Sequence, residues 1–149
     1  MPPTNDATPD PAWLPFAFIG GFLIVFPLFW CGVVRLLSEL GGWQRLARQY
    51  AAGDRPVTGE RCGGVVGMVG AVSYRSVLTL HFNTDGFFIE VMPFFRVGHP
   101  RHFIPWSEVS ERIPTRALWW KGERLSIGHP VISTITLPAK LLAQHRALN

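Results

Sequence analysis

The first 34 residues contain no lysine or arginine; all fourteen basic side chains follow Val34. That absence argues against a secretory signal peptide, whose leading region is basic, and residues 1–12 instead carry Asp6 and Asp10. Residues 13–34 lack more: every charged residue, and Ser, Thr, Asn, Gln and His. Cysteine is scarce. Cys31 and Cys62 stand at a spacing that fits neither a disulfide framework nor a zinc site, and both read as unpaired reduced thiols. A lipoprotein reading of Cys31 meets bulky Trp30 where a small residue is required. Carboxylates are sparse too. Glu108 and Glu111 read as solvated surface charges, since an acid–base pair needs burial and opposed environments. Ser107 and Ser110 have no His–Asp arrangement around them.

What is present begins with the run WLPFAFIGGFLIVFPLFWCGVV at 13–34. Its twenty-two residues span roughly 33 Å as a helix, against a hydrocarbon core of about 30 Å. Thirteen are Leu, Ile, Val or Phe. They favour insertion by about 4–8 kcal/mol before Gly and Pro are discounted. Trp13 and Trp30 lie near the two ends, as an aromatic belt requires. Pro15 falls in the first turn, where its missing N–H costs little, and Pro27 predicts a kink. A core helix of this length would need a much larger domain around it. The expectation is a transmembrane helix over 13–40, preceded by a disordered Pro-rich tail, 1–12.

Charge gives the span a direction. Arg35, Arg45, Arg48 and Arg55 follow it closely and no basic side chain precedes it, so the positive-inside rule expects the N-terminus outside and the C-terminal domain in the cytoplasm. After the span, fourteen basic residues face eight acidic ones, because Asp6 and Asp10 precede it. No nucleic-acid recognition motif accompanies the excess. Attraction to an anionic leaflet explains it at about 1 kcal/mol per Arg near the surface.

The helix is expected to break at Gly41-Gly42. A second helix follows, WQRLARQYAA, with Trp43, Leu46, Ala47 and Tyr50 on one face. Two compatible readings stand open: an interfacial helix with its aromatic face among headgroups, and an amphipathic helix packed on a β domain. A linker over 52–60 closes the 41–60 segment. From 61 the pattern turns β. Val65–Tyr74 reads as a glycine-interrupted strand and Ser76–Asn83 as an alternating one. Thr84-Asp85-Gly86 is a hairpin turn with Phe87–Met92 returning. Pro93–Arg101 is loop, His102–Ile104 a short strand, Pro105–Glu108 a turn and Val109–Ile113 a strand. A second hairpin is expected about Lys121-Gly122-Glu123. Gly128-His129-Pro130 turns the chain into Val131–Thr136. Pro138 opens a terminal helix with Leu141, Leu142, His145 and Leu148 on one side. The fold class is thus an N-terminal transmembrane helix plus a mainly β (α+β) domain over 61–149, a small antiparallel barrel or sandwich of about 6–7 strands closed by a helix.

That order resembles the PH-like/GRAM-like superfold. The local text is similar to a group of uncharacterised bacterial single-span membrane proteins, in Gly42-Trp43-Gln44-Arg45-Leu46-Ala47, Thr84-Asp85-Gly86-Phe87, and Gly98-His99-Pro100 leading into Ile104-Pro105-Trp106-Ser107-Glu108-Val109. The resemblance covers about residues 40–145 and implies a membrane-tethered adaptor, not an enzyme. Lipid-binding PH domains carry a basic cluster at the first hairpin; the corresponding loop here, Ala71–Ser76, offers Arg75 alone, so no phosphoinositide site is carried over.

The candidate site residues fall into two sets. The membrane-interface set is Trp13, Trp30, Arg35, Trp43, Arg45 and Arg48. The candidate partner patch is Phe94, Phe95, Trp119 and Trp120. In a strand the two Trp face opposite sides, so one is expected in the core and the other exposed or under a helix. His99, His102 and His129 could form a metal site only if they converge; the simpler reading is two Gly-His-Pro turns. The run Gly63–Gly70 lacks the Lys-Ser/Thr of a phosphate loop and reads as a strand with bulges or close packing. No catalytic residue, metal or cofactor is assigned. The function expected is a non-enzymatic interaction module at a bacterial inner membrane, its partners the lipid bilayer and a membrane protein, with no nucleic acid. The alternative is an anionic-lipid or small-ligand binding domain. The least supported reading is a metal-dependent enzyme using the Gly-His-Pro histidines.

Overall fold

The computed structural model describes residues 11–117 and 119–145. The tail read as disordered, except Pro11 and Ala12, lies outside the described residues, as does Leu148. The chain divides into two compact units, Met1–Val33 and Val34–Asn149. Helix α1, Leu14–Leu40, is 27 residues long and is apolar and long enough to cross a membrane. In the first unit its Phe16, Phe18, Phe22, Leu23 and Phe29 are exposed, and Phe22, Phe26 and Trp30 stack along one side.

The second unit takes in the last two turns of α1, helix α2 (Trp43–Tyr50), seven strands and helix α3 (Ala139–Gln144). The strands are β1 Glu60–Val69, β2 Val72–Phe82, β3 Gly86–Val91, β4 His102–Pro105, β5 Val109–Ala117, β6 Trp120–Ile127 and β7 Ser133–Pro138. All pair antiparallel in one curled sheet of order β4-β3-β2-β1-β7-β6-β5. β1 is the pivot, pairing with β2 on one side and β7 on the other. Register irregularities between Cys62 and Val65 and between Val65 and Gly67 bend it, and bulges sharpen twist in this way. Gly63, Gly64 and Gly67 of the glycine run therefore lie in a bulged strand, as the sequence suggested.

Alternation builds the core. Leu78, Leu80 and Phe82 of β2, Phe87 and Ile89 of β3, Leu125 and Ile127 of β6, and Ile135 and Leu137 of β7 are all at most 1% exposed. Leu142 of α3 joins the same cluster. The opposite face of β3 and β4 carries Phe88 and Phe103, covered by Ala52 and Val57, with the Arg55 guanidinium 4.3 Å above the Phe103 ring. The segment read as a linker is thus the cover of a second, smaller core. It begins with Ala51 bridged to His102 and Ala52 N–H donating to the Arg101 carbonyl at 2.9 Å.

Two turns differ from expectation. Val65–Tyr74 is not one strand, since Gly70, with φ +56°, turns β1 into β2. The second hairpin turns just after Ala117, not at Lys121-Gly122-Glu123. Gly122 lies inside β6, paired with Thr115 and Pro138. A Cβ there would stand 2.5 Å from Trp120 Cζ3 and 3.0 Å from the Leu137 carbonyl oxygen, so this glycine serves packing.

Candidate functional site

The richest constellation of polar and aromatic groups lies where α1 gives way to α2. Gly41 N–H still bonds the Leu37 carbonyl at 2.9 Å, closing α1. Gly42 then adopts φ +79°, and its carbonyl accepts from Arg45 and Leu46 to start α2. The turn must be narrow because a Cβ on Gly41 would meet Val72 at 2.9 Å, and one on Gly70 would strike the Gly41 carbonyl oxygen.

The buried face of α2 carries Trp43, Leu46 and Tyr50, spaced i, i+3, i+7. Trp43 is fully buried. Its indole lies 5.1 Å from His99 and 4.8 Å from His102, centroid to centroid, and its Nε1–H donates to the Pro100 carbonyl at 2.9 Å. The Tyr50 hydroxyl donates to Glu108 Oε2 at 2.7 Å; burial, with the Glu108 bond second, pushes its pKa up to about 12. Ser38 Oγ–H, from the last turns of α1, donates to the Gly98 carbonyl, and so does Gln44 Nε2–H. The same Gln44 amide reaches Ser38 Oγ at 3.2 Å. Of the two readings left open for this helix, packing is the one observed. Trp43 is a core residue and is corrected out of the membrane-interface set, because α2 presents its whole apolar face to the sheet and the 98–102 strap.

The arginines of that set point the other way. Arg35, Arg45 and Arg48 are exposed and line a groove of about 460 Å³ with Gln44 and Glu39. Glu39 Oε1 lies 3.4 Å from Arg35 Nε, an exposed pair one turn apart. The groove therefore holds three cations and one anion. Trp13 is 64% exposed and Trp30 37%.

Beside the groove, Gly98 packs on Arg35, so close that an added Cβ would stand 3.4 Å from Arg35 Cα. The loop before it, a 3₁₀ turn at Pro93–Phe95, is closed by Phe95 N–H to the Met92 carbonyl at 2.9 Å. Of the candidate patch, Phe94 is 82% exposed on this turn, while Phe95 packs against the core. Trp119 is exposed at the end of β5–β6, with the Arg75 guanidinium 5.2 Å over its ring, and Trp120 is half-buried. The expectation of one exposed Trp fits position 119.

The three histidines do not act together. His99 donates from Nδ1 to the Val97 carbonyl (3.1 Å) and accepts at Nε2 from the Tyr74 hydroxyl (3.0 Å). Burial raises the Tyr74 pKa and lowers that of His99. His102 is fully buried, and neither ring nitrogen has a hydrogen-bond partner among the described residues. Burial, then His99, lowers its pKa to about 3; the nearby Trp43 backbone opposes the shift but lies outside hydrogen-bond geometry. His129 is exposed, 3.4 Å from the Ser107 carbonyl. These three form no candidate metal cluster among the described residues. Ser38 and Gln44, without a site role at sequence level, bond the α1–α2 elbow to Gly98, and Tyr74 bonds His99. The hint was Ser38, a small polar residue four positions past the apolar run, on the same helical face as buried Val34.

No protein-family model matches the chain, no curated protein matches it, and no solved structure matches it.

Proposed function

We propose that the chain is a single-pass, membrane-anchored, non-enzymatic interaction module of a bacterial inner membrane, with a PH-like β domain on the cytoplasmic side. The observation that carries this reading is the elbow. Val34 and Ser38 of α1 are buried within the β-domain unit, and Ser38 and Gln44 share one carbonyl acceptor, Gly98. The last two turns of α1, from Val34 on, are thereby built into the β-domain unit. The sheet order β4-β3-β2-β1-β7-β6-β5, with the helix last, supports the PH-like reading. The arginine side of the unit, absent before the span, supports the orientation.

The unit exposes Arg35, Arg45 and Arg48 along one groove, and it also exposes Leu36, Leu40, Phe94 and Val97. A basic groove together with exposed apolar side chains on the same unit suits the juxtamembrane segment of a membrane-protein partner. A second reading rests on the groove alone: three arginines against one glutamate suit an anionic lipid headgroup. Photo-crosslinking in native membranes, from probes placed at Arg48 and Phe94, separates them. A partner gives one discrete heavier band from both probes. Lipid binding gives only lipid adducts of the monomer, and these fall when Arg35 and Arg45 are replaced by Ala. Probes at both positions that yield neither contradict both readings.

A further inference from the structure

A second constellation lies away from the elbow, where the end of α3 meets the start of β1. Glu60, Cys62 and His145 place one ligand atom each within 4.8 Å of the others. Glu60 and Cys62 are two apart on β1 and share a face, and β1 is bulged just beyond Cys62. His145 comes from 85 residues further on, is 4% exposed, and stacks on Phe82 at 4.2 Å.

The hydrogen bonds of His145 fix its tautomer. Nδ1 lies 2.9 Å from the Leu141 carbonyl, which can only accept, so Nδ1 carries the proton. In the neutral ring Nε2 is then a lone pair. It faces Glu60 Oε2, also a lone pair, at 3.2 Å. Two acceptors at that distance require a cation between or upon them. A second proton on the imidazole is one solution and would give an ordinary ion pair. That solution leaves the Cys62 sulfur unused.

We propose that Glu60, Cys62 and His145 form a site for a divalent transition ion of the zinc class. Carboxylate, thiolate and neutral imidazole together carry the two negative charges that balance such an ion. The His145 Nδ1–H to carbonyl bond is the outer-shell contact that metal-bound imidazoles make to fix ring and tautomer. Bond lengths of about 2.0–2.1 Å to N and O put two ligands of a tetrahedral ion about 3.4 Å apart, close to the 3.2 Å observed. A thiolate at about 2.3 Å needs to lie about 3.6 Å from each, so Cys62 closes by at most about 1.2 Å. Glu60 is exposed, which leaves a fourth position to water. Binding exchanges the thiol proton of Cys62 for the metal; no electron is transferred. The ion ties α3 to the strand on which the sheet pivots.

The test uses the untagged full chain in detergent, stripped with chelator and titrated with Co²⁺ and then Zn²⁺. One Co²⁺ per chain is expected, with a thiolate-to-cobalt absorption band that Zn²⁺ bleaches. Cys62→Ser abolishes the band and Cys31→Ser keeps it. Zn²⁺ raises the thermal midpoint of the wild type and of Cys31→Ser but not of His145→Gln or Cys62→Ser. Absence of the band in the wild type, or its persistence in Cys62→Ser, overturns the proposal whatever the His145 variant does. Metal uptake equal in wild type and Glu60→Gln/Cys62→Ser would show an adventitious ion only and overturn it as well.

Discussion

Trp43→Ala is expected to destabilise the β-domain unit by about 3–5 kcal/mol, the range for emptying a large aromatic site in a core. The indole is fully buried, touches Tyr74, His99 and His102, and supplies the donor to Pro100. Its removal leaves a cavity and an unmatched carbonyl together. At this size the thermal midpoint falls by more than roughly 10 °C. Hydrogen exchange should show amides of 43–50 losing protection first, because α2 is held by that face. Arg45→Ala, on the exposed side of the same helix, is expected to change stability by no more than about 0.5 kcal/mol. The contrast tests the packing of the Trp43 face directly. A Trp43 seated among lipid headgroups would leave the unfolding of the domain unchanged when replaced.

Acid is the second large lever. His102 is neutral in the fold, its pKa lowered to about 3, whereas an unfolded chain protonates it near 6.5. Above that pH both states are neutral and the group contributes no pH dependence. As pH falls below about 6.5 the unfolded state gains a proton that the folded state refuses. Stability then declines by up to about 1.4 kcal/mol per pH unit, continuing toward pH 3. Between pH 7.5 and 5 His102 alone accounts for about 2 kcal/mol, and His99, shifted in the same direction by burial, adds to it. Denaturant midpoints of the full chain in detergent at the two pH values give the number. His102→Leu should flatten the slope: neither ring nitrogen has a hydrogen-bond partner among the described residues, so an apolar side chain of similar bulk forfeits none of their bonds. Equal acid sensitivity with and without His102 would refute the assignment.

The long apolar helix and the β2–β3 hairpin were legible because their signals are local. An apolar run without a single polar side chain reads as one helix, and Asn83 shows why Thr84-Asp85-Gly86 reads as a turn: its Oδ1 accepts from Asp85 and Gly86 N–H at 3.0 and 2.9 Å. Glycine misled where it served packing. Gly122 looked like a turn residue but sits under Trp120, and Gly70, which does turn the chain, was hidden in an apolar stretch. The site was less legible than the fold. The periodicity of Trp43, Leu46 and Tyr50 gave a buried face but not what it faces. The partners at Gly98, Pro100 and Glu108 are more than fifty residues away. His145 and Glu60 are further apart still, and only closure of α3 onto β1 brings them together.

The central claim is that α1 crosses the membrane and leaves the β domain on the cytoplasmic side. Matched C-terminal fusions to green fluorescent protein and to alkaline phosphatase, assayed in carbonate-washed bacterial inner membranes, test it most directly. The expected result is a fluorescent, membrane-retained first fusion and an inactive second one. An active phosphatase fusion, or release of either fusion by carbonate, would contradict it.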